Sequence, residues 1–209
     1  MSEIQLNSSA YSSLVFKLMF ESELILQTDK ILLRPTVIDD FKSFEPLTSD
    51  PLMWIYFTSD LSVPSELSAW VENGINEHKN NIRLPFTIIN KSTDNPIGST
   101  SFGNISVKDK RVEIGWTWIA KEFQGTGVNG EIKYLLLKYV FETIGFERVE
   151  LKTDILNLRA RRALSRIGFK EEGILRSHMV MTHGRRRDTI YYSILKSEWE
   201  AVKITNQWS

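Results

Sequence analysis

Three extended runs, at residues 84–89, 97–105 and 111–119, follow one another with only a polar turn at 90–96 and a tight turn at 108–110 between them. Connections that short join antiparallel neighbours, because a parallel pair needs a long crossover. The pattern then changes. A glycine-rich loop at 124–130 leads into Ile132, Leu135, Leu136, Tyr139 and Val140 at helical spacing, and Gly145 is a natural stop. A strand at 149–153 comes next, then a helix at 158–167 capped by Asn157 and ended by Gly168. Extended runs at 169–180 and 189–195, joined through the turn at His183 and Gly184, close this half. Upstream, a strand at 30–34 stops at Pro35, and Asp39 and Asp40 open a helix that Pro51 ends or redirects. A second amphipathic helix follows Pro64 with Leu67, Trp70, Val71 and Ile75. The pattern predicts one α/β domain: a central, mostly antiparallel mixed sheet with helices on its faces.

At 209 residues the chain is long enough for a sizeable core. Residues 1–28 read as an N-terminal extension, 29–200 as the domain and 201–209 as a C-terminal tail. The extension predicts a short helix or an extra strand, serving a homodimer contact or covering its own domain. Lys and Arg balance Asp and Glu at 26 each, which gives no general field for nucleic acid. Cysteine is absent, so thiolate chemistry and disulfides are excluded, and a reducing cytoplasm is the compatible compartment. No apolar run reaches membrane length, and three dispersed histidines give no metal-ligand spacing.

The loop is Gln124, Gly125, Thr126, Gly127, Val128, Asn129 and Gly130. Glycine lets the backbone approach a ligand closely, and the N–H groups of a helix start favour an anion such as a diphosphate. A nucleotide P-loop requires Lys followed by Ser or Thr after the last glycine, and Glu131 and Ile132 stand there instead. The spacing also imitates a dinucleotide fingerprint, but that motif belongs on the first strand of a βαβ unit, not after antiparallel strands. The alternative is a tight connection that simply needed glycine.

The run from Glu113 to Ile119, this loop, residues 150–154, Asn157 and the Gly168-Phe169 pair together resemble the GCN5-related N-acetyltransferase superfamily. Within it, residues 175–180 and 187–195 are similar to the branch of ribosomal-protein alanine acetyltransferases. The resemblance spans roughly residues 29–200. It implies acetyl-CoA as donor, with the pyrophosphate on Gln124, Gly125, Thr126, Gly127, Val128, Asn129 and Gly130. It implies a sheet in which the strands at 113–119 and 149–154 splay apart. The backbone of Thr117, Trp118 and Ile119 would then bind the pantetheine arm, with side chains free to serve the core. Asn157 matches the asparagine that holds the cofactor, with a plain helix cap as the other reading. Of Arg159, Arg161, Arg162 and Arg166, Arg162 is assigned to the CoA phosphates, the alternative being a solvated face.

Amide formation from a thioester needs a neutral amine, so a base or a water chain must remove a proton. Glu113, on a strand between apolar Val112 and Ile114, is the first candidate, and Asp154 a lesser one. His178 is expected towards the acceptor cleft, His78 and His183 at the surface, and the Arg185–Arg187 turn as solubilising. The superfamily's proton-donating tyrosine position is Leu164 here, and the branch's serine position is Ala160, so Tyr191 or Tyr192 would have to arrive from the last strand. The acceptor implied is a protein N-terminal α-amine, with a small-molecule amine as the alternative. A non-catalytic acyl-CoA-binding protein is the reading from another class. Residues 54–60, the helix after Pro64 and residues 178–187 are expected to shape the acceptor pocket, although aromatic residues 54–57 would equally fill core.

Overall fold

The computed structural model describes residues 8–21 and 23–208. In chain order the elements are α1 (Ser8–Met19), β1 (Leu26–Gln27), β2 (Ile31–Pro35), α2 (Asp40–Thr48), α3 (Pro64–Lys79), β3 (Leu84–Asn90), β4 (Asn95–Ser106) and β5 (Arg111–Ile119). There follow α4 (Val128–Lys138), β6 (Arg148–Asp154), α5 (Leu158–Ile167), β7 (Lys170–Val180), β8 (Arg186–Leu195) and α6 (Trp199–Asn206). Pro51 opens a short 3₁₀ turn after α2, and a π-helical turn extends α4 to Ile144, where Gly145 closes it at φ 78°.

The strands make one sheet in the order β1-β2-β3-β4-β5-β6-β8-β7. Every neighbouring pair is antiparallel except β5 and β6, whose connection runs through the glycine loop and α4. That crossover is what makes the pair parallel. Side chains alternate across the sheet and sort the helices into two layers. Phe86, Ile88, Val112, Ile114, Val149, Leu151, Ile190 and Ile194 share a core with Val15 and Met19 of α1, Ile132 and Leu136 of α4, Leu164 of α5, and Trp199 and Val202 of α6. The opposite face carries a smaller core: Phe44 of α2, Leu67 and Val71 of α3, Trp54, Leu61 and Trp118. The larger core therefore draws on residues both before 29 and after 200.

A β-bulge shapes the centre. Ser99 lies opposite Trp118 while Ser101 lies opposite Gly115, so β5 spends three steps where β4 spends two. Trp116 absorbs the extra residue at φ 52°, a left-handed conformation that a bulky side chain rarely takes. The shift returns Trp118 to the α2–α3 face. The Trp116 ring comes so near Gly103 that a Cβ there would meet it at 2.6 Å. Among the described residues no helix is long and apolar enough to cross a membrane.

Candidate active site

The parallel pair β5–β6 holds together for three residues only, Arg111 with Arg148, Val112 with Val149 and Glu113 with Glu150. Beyond Glu113 the strands part, and the gap opens a cleft of about 290 Å³ through the sheet. Ile114–Thr117 of β5 and Leu151–Thr153 of β6 form its sides. Asn129, Lys133, Asn157, Ala160 and Leu164 reach it from the α4–α5 face. Tyr56, Phe57, Thr58, Glu113, Met179 and Arg187 also line it.

The glycine loop sits at the α4 end of this gap. Gly125 and Gly127 take φ of 85° and 95°, and Gly127 is the N-cap of α4. A Cβ at either would meet nothing within 4 Å, so the space over the loop is open. Gln124 is fixed by Nε2 donating to the Ile119 carbonyl at 2.7 Å and by Arg159 donating to its Oε1. A helix start with bare glycines before it, beside an unpaired strand edge, fits a diphosphate joined to an extended arm. Asn157 caps α5 by accepting from the Ala160 N–H at 3.0 Å, and it also lines the cleft.

Glu113 is buried, 3% exposed, and its Oε2 accepts from Asn104 Nδ2 at 2.6 Å and Lys152 Nζ at 2.8 Å. Oε1 faces Gly115, where a side chain would crowd it. Lys152 in turn lies over the Tyr191 ring. Across the gap Lys133 is 2% exposed and donates to Thr117 Oγ1 at 3.2 Å, which is itself bonded to Thr100 Oγ1. Burial pushes the Lys133 amine down to about 7. Asn129 and Lys133 are one helical turn apart and share a face, the signal that would have revealed this lysine. Lys152 and Arg187 had no such mark, since strand alternation alone does not say which face borders a gap.

Several expected residues lie elsewhere. Tyr192 points into the larger core, where its hydroxyl accepts from Arg161 and donates to Glu171, because β8 alternation turns it towards α5. His178 is exposed on β7 against the Tyr191 ring, with its neighbour Met179 taking the cleft position. Arg162 is exposed on α5, and Arg159 is the helix arginine that touches the loop. Trp118 and Ile119 put their side chains in core, as expected of strand residues that would use only their backbone. Asp154 is fully buried and holds Arg185 and the Leu156 N–H. His183 is exposed, but His78 is half-buried against Phe20, and burial lowers its pKa. The Arg185–Arg187 segment is solvated only in part: Arg186 is exposed and bonds the Ser177 carbonyl, Arg185 pairs with Asp154, and Arg187 is buried.

A second cavity of about 240 Å³ adjoins the cleft on the α2–α3 face, sharing Phe57, Thr58 and Trp116. Trp54, Trp70 and Trp118 wall it, and Glu66 supplies a carboxylate. Arg83 stacks between Trp70 and Trp116, with its guanidinium carbon 5.6 and 5.0 Å from the two ring centres, and is paired with Glu77. Residues 54–57 thus serve both readings: Trp54 is core and also wall.

A parallel strand pair pulled apart beside a glycine-capped helix defines an acyltransferase architecture, and the comparisons agree. The acetyltransferase (GNAT) domain family matches residues 30–170, and the chain belongs to that family of N-acetyltransferases. It is 39% identical over 106 residues to YdaF of Bacillus subtilis (strain 168), a protein with the provisional name of ribosomal N-acetyltransferase. That match covers 51% of this chain and 57% of YdaF. The uncharacterised N-acetyltransferase p20 of Bacillus licheniformis is 28% identical over 178 residues, 83% of this chain and 97% of p20. Among solved structures, a GCN5-related N-acetyltransferase from Brucella melitensis superposes with a TM-score of 0.80 at 26% identity, covering 89% of this chain and 85% of that one.

Proposed function

We propose that the chain transfers an acetyl group from acetyl-CoA to a primary amine by direct attack in a ternary complex, and that the acceptor is a protein N-terminal α-amine. The observation that carries this reading is the gap between β5 and β6, with a glycine-capped helix at one face and an anchored carboxylate at the other. Bound in the gap, acetyl-CoA supplies an activated acyl carbon and a thiolate leaving group. The amides at 125–129 meet its diphosphate, and the β5 edge at 117–119, apart from the Ile119 carbonyl that Gln124 holds, pairs with its amide arm. Glu113 takes the proton that the acceptor ammonium must lose before attack, and Oε1 is the accepting atom because Lys152 and Asn104 hold Oε2. Ala160, Ala163 and Leu164 offer no proton donor on the α5 wall. Lys133 lines the cleft on that side, and in its ammonium form, which burial disfavours, it gives the departing thiolate a proton.

The test is incubation with acetyl-CoA and a panel of N-terminal peptides and small amines, reading thiol release and acceptor mass. Release with peptides is expected. Tight acetyl-CoA binding with no release above hydrolysis across the panel would replace this reading with a non-catalytic acyl-CoA-binding protein. Glu113→Gln should slow transfer and change the pH–rate profile; an unchanged profile removes Glu113 as base. A small-molecule acceptor is the second reading. It is favoured by the second cavity, whose indole faces and Glu66 suit one compact ammonium group.

A further inference from the structure

Among the described residues, Trp118, Arg187 and Thr189 bury a polar side-chain atom that has no hydrogen-bond partner. Arg187 is the one that lines the cleft. It is 7% exposed, and both Nε and Nη2 are unpartnered. Its carboxylate neighbours are engaged elsewhere: Asp154 holds Arg185 and the Leu156 N–H, and Glu113 holds Lys152 and Asn104. A guanidinium buried in this state costs folding free energy, which a ligand in the cleft would offset. Nε–H and the adjacent Nη2–H form the side-on edge of the guanidinium, two parallel donors suited to a carboxylate or carbonyl oxygen.

The sheet decides which substrate meets that edge. On β8, Ile190, Tyr192 and Ile194 face α5, so Arg187 projects from the other face, as does Tyr191, which sits opposite Lys152. The glycine loop belongs to α4, on the α5 side. A donor that enters the gap from the loop leaves Arg187 to whatever arrives from the opposite face. We propose that Arg187 is a specificity-determining contact for the acceptor, holding a carbonyl or carboxylate oxygen carried next to the amine that is acetylated. This rests on the transfer reading above, and it selects amino-acid and peptide acceptors over plain alkylamines.

The experiment compares L-alanine, L-alaninamide and isopropylamine, which differ around the amine in carrying a carboxylate, an amide carbonyl or neither. Arg187→Met should raise the KM of the carbonyl-bearing acceptors by about tenfold or more, while the KM values of isopropylamine and acetyl-CoA stay within about twofold. The larger loss, on alanine or on alaninamide, tells a carboxylate from a carbonyl. Because the substitution removes a buried unpaired charge, its Tm should equal or exceed that of the wild type. An equal loss on isopropylamine, or a raised KM for acetyl-CoA, overturns the proposal. Should the wild type acetylate none of the three, the transfer reading suffers and Arg187 is judged by binding alone. Alanine or alaninamide must then raise the wild-type Tm more than isopropylamine does, with the difference gone in Arg187→Met; no difference overturns the assignment.

Discussion

Lys133 places an amine on the inner side of α4 with the Thr117 hydroxyl as its hydrogen-bond partner. Its pKa falls from 10.5 to about 7 because burial disfavours the ammonium. Between those values the unfolded chain binds more protons than the folded one, so stability rises with pH across that window. The penalty is complete below about pH 7 and gone above about 10.5. Lys133→Met should therefore be more stable than wild type at pH 6 by a few kcal/mol, to order of magnitude. The advantage should shrink towards pH 10, as urea titrations at several pH values would show. Gly127 gives a second prediction at this scale. Its φ of 95° makes alanine cost about 1 kcal/mol in backbone conformation, since no neighbour crowds the added Cβ. Gly127→Ala should lower Tm only slightly yet raise the KM for acetyl-CoA, because the methyl group would stand where the proposed function brings the diphosphate.

At the scale of elements, α5 joins stability to the site through one residue. Asn157 Oδ1 caps the helix, and the same side chain lines the cleft. Asn157→Ala should cost about 1 kcal/mol in unfolding free energy through the lost cap. Asn157→Asp keeps an oxygen for the Ala160 N–H but removes the amide donor, so it should retain Tm and lose acetyl-CoA affinity. A thermal scan with a binding titration separates the two roles. The elements were largely legible because their punctuation is local: Gly145 and Gly168 end helices, and Pro64 begins one. The bulge at Trp116 was not, since an extra residue in one strand is defined only against its partner. Tyr192 shows the same limit, because its distance from the chemistry follows from which face of β8 meets α5.

For the whole molecule, α1 closes the larger core, and none of its described residues lines the cleft. Met19 is fully buried there, and the Tyr139 hydroxyl donates to the Leu18 carbonyl at 2.7 Å. Met19→Ala should destabilise by roughly 2–5 kcal/mol, measured by denaturant unfolding, with KM for acetyl-CoA unchanged. The sequence by itself determined the antiparallel run, the glycine loop at a helix start and the family likeness, because hairpin spacing, positive φ at glycine and helical periodicity are properties of neighbouring residues. The likeness implied that β5 and β6 splay; tertiary structure alone decided that they part after Glu113, that Lys133 and Arg187 border the gap from opposite faces, and that Tyr192, His178 and Arg162 stand outside its lining. Those facts depend on which strands pair, for how long, and which face each helix covers. Such relations join residues far apart in the chain, and no local pattern encodes them.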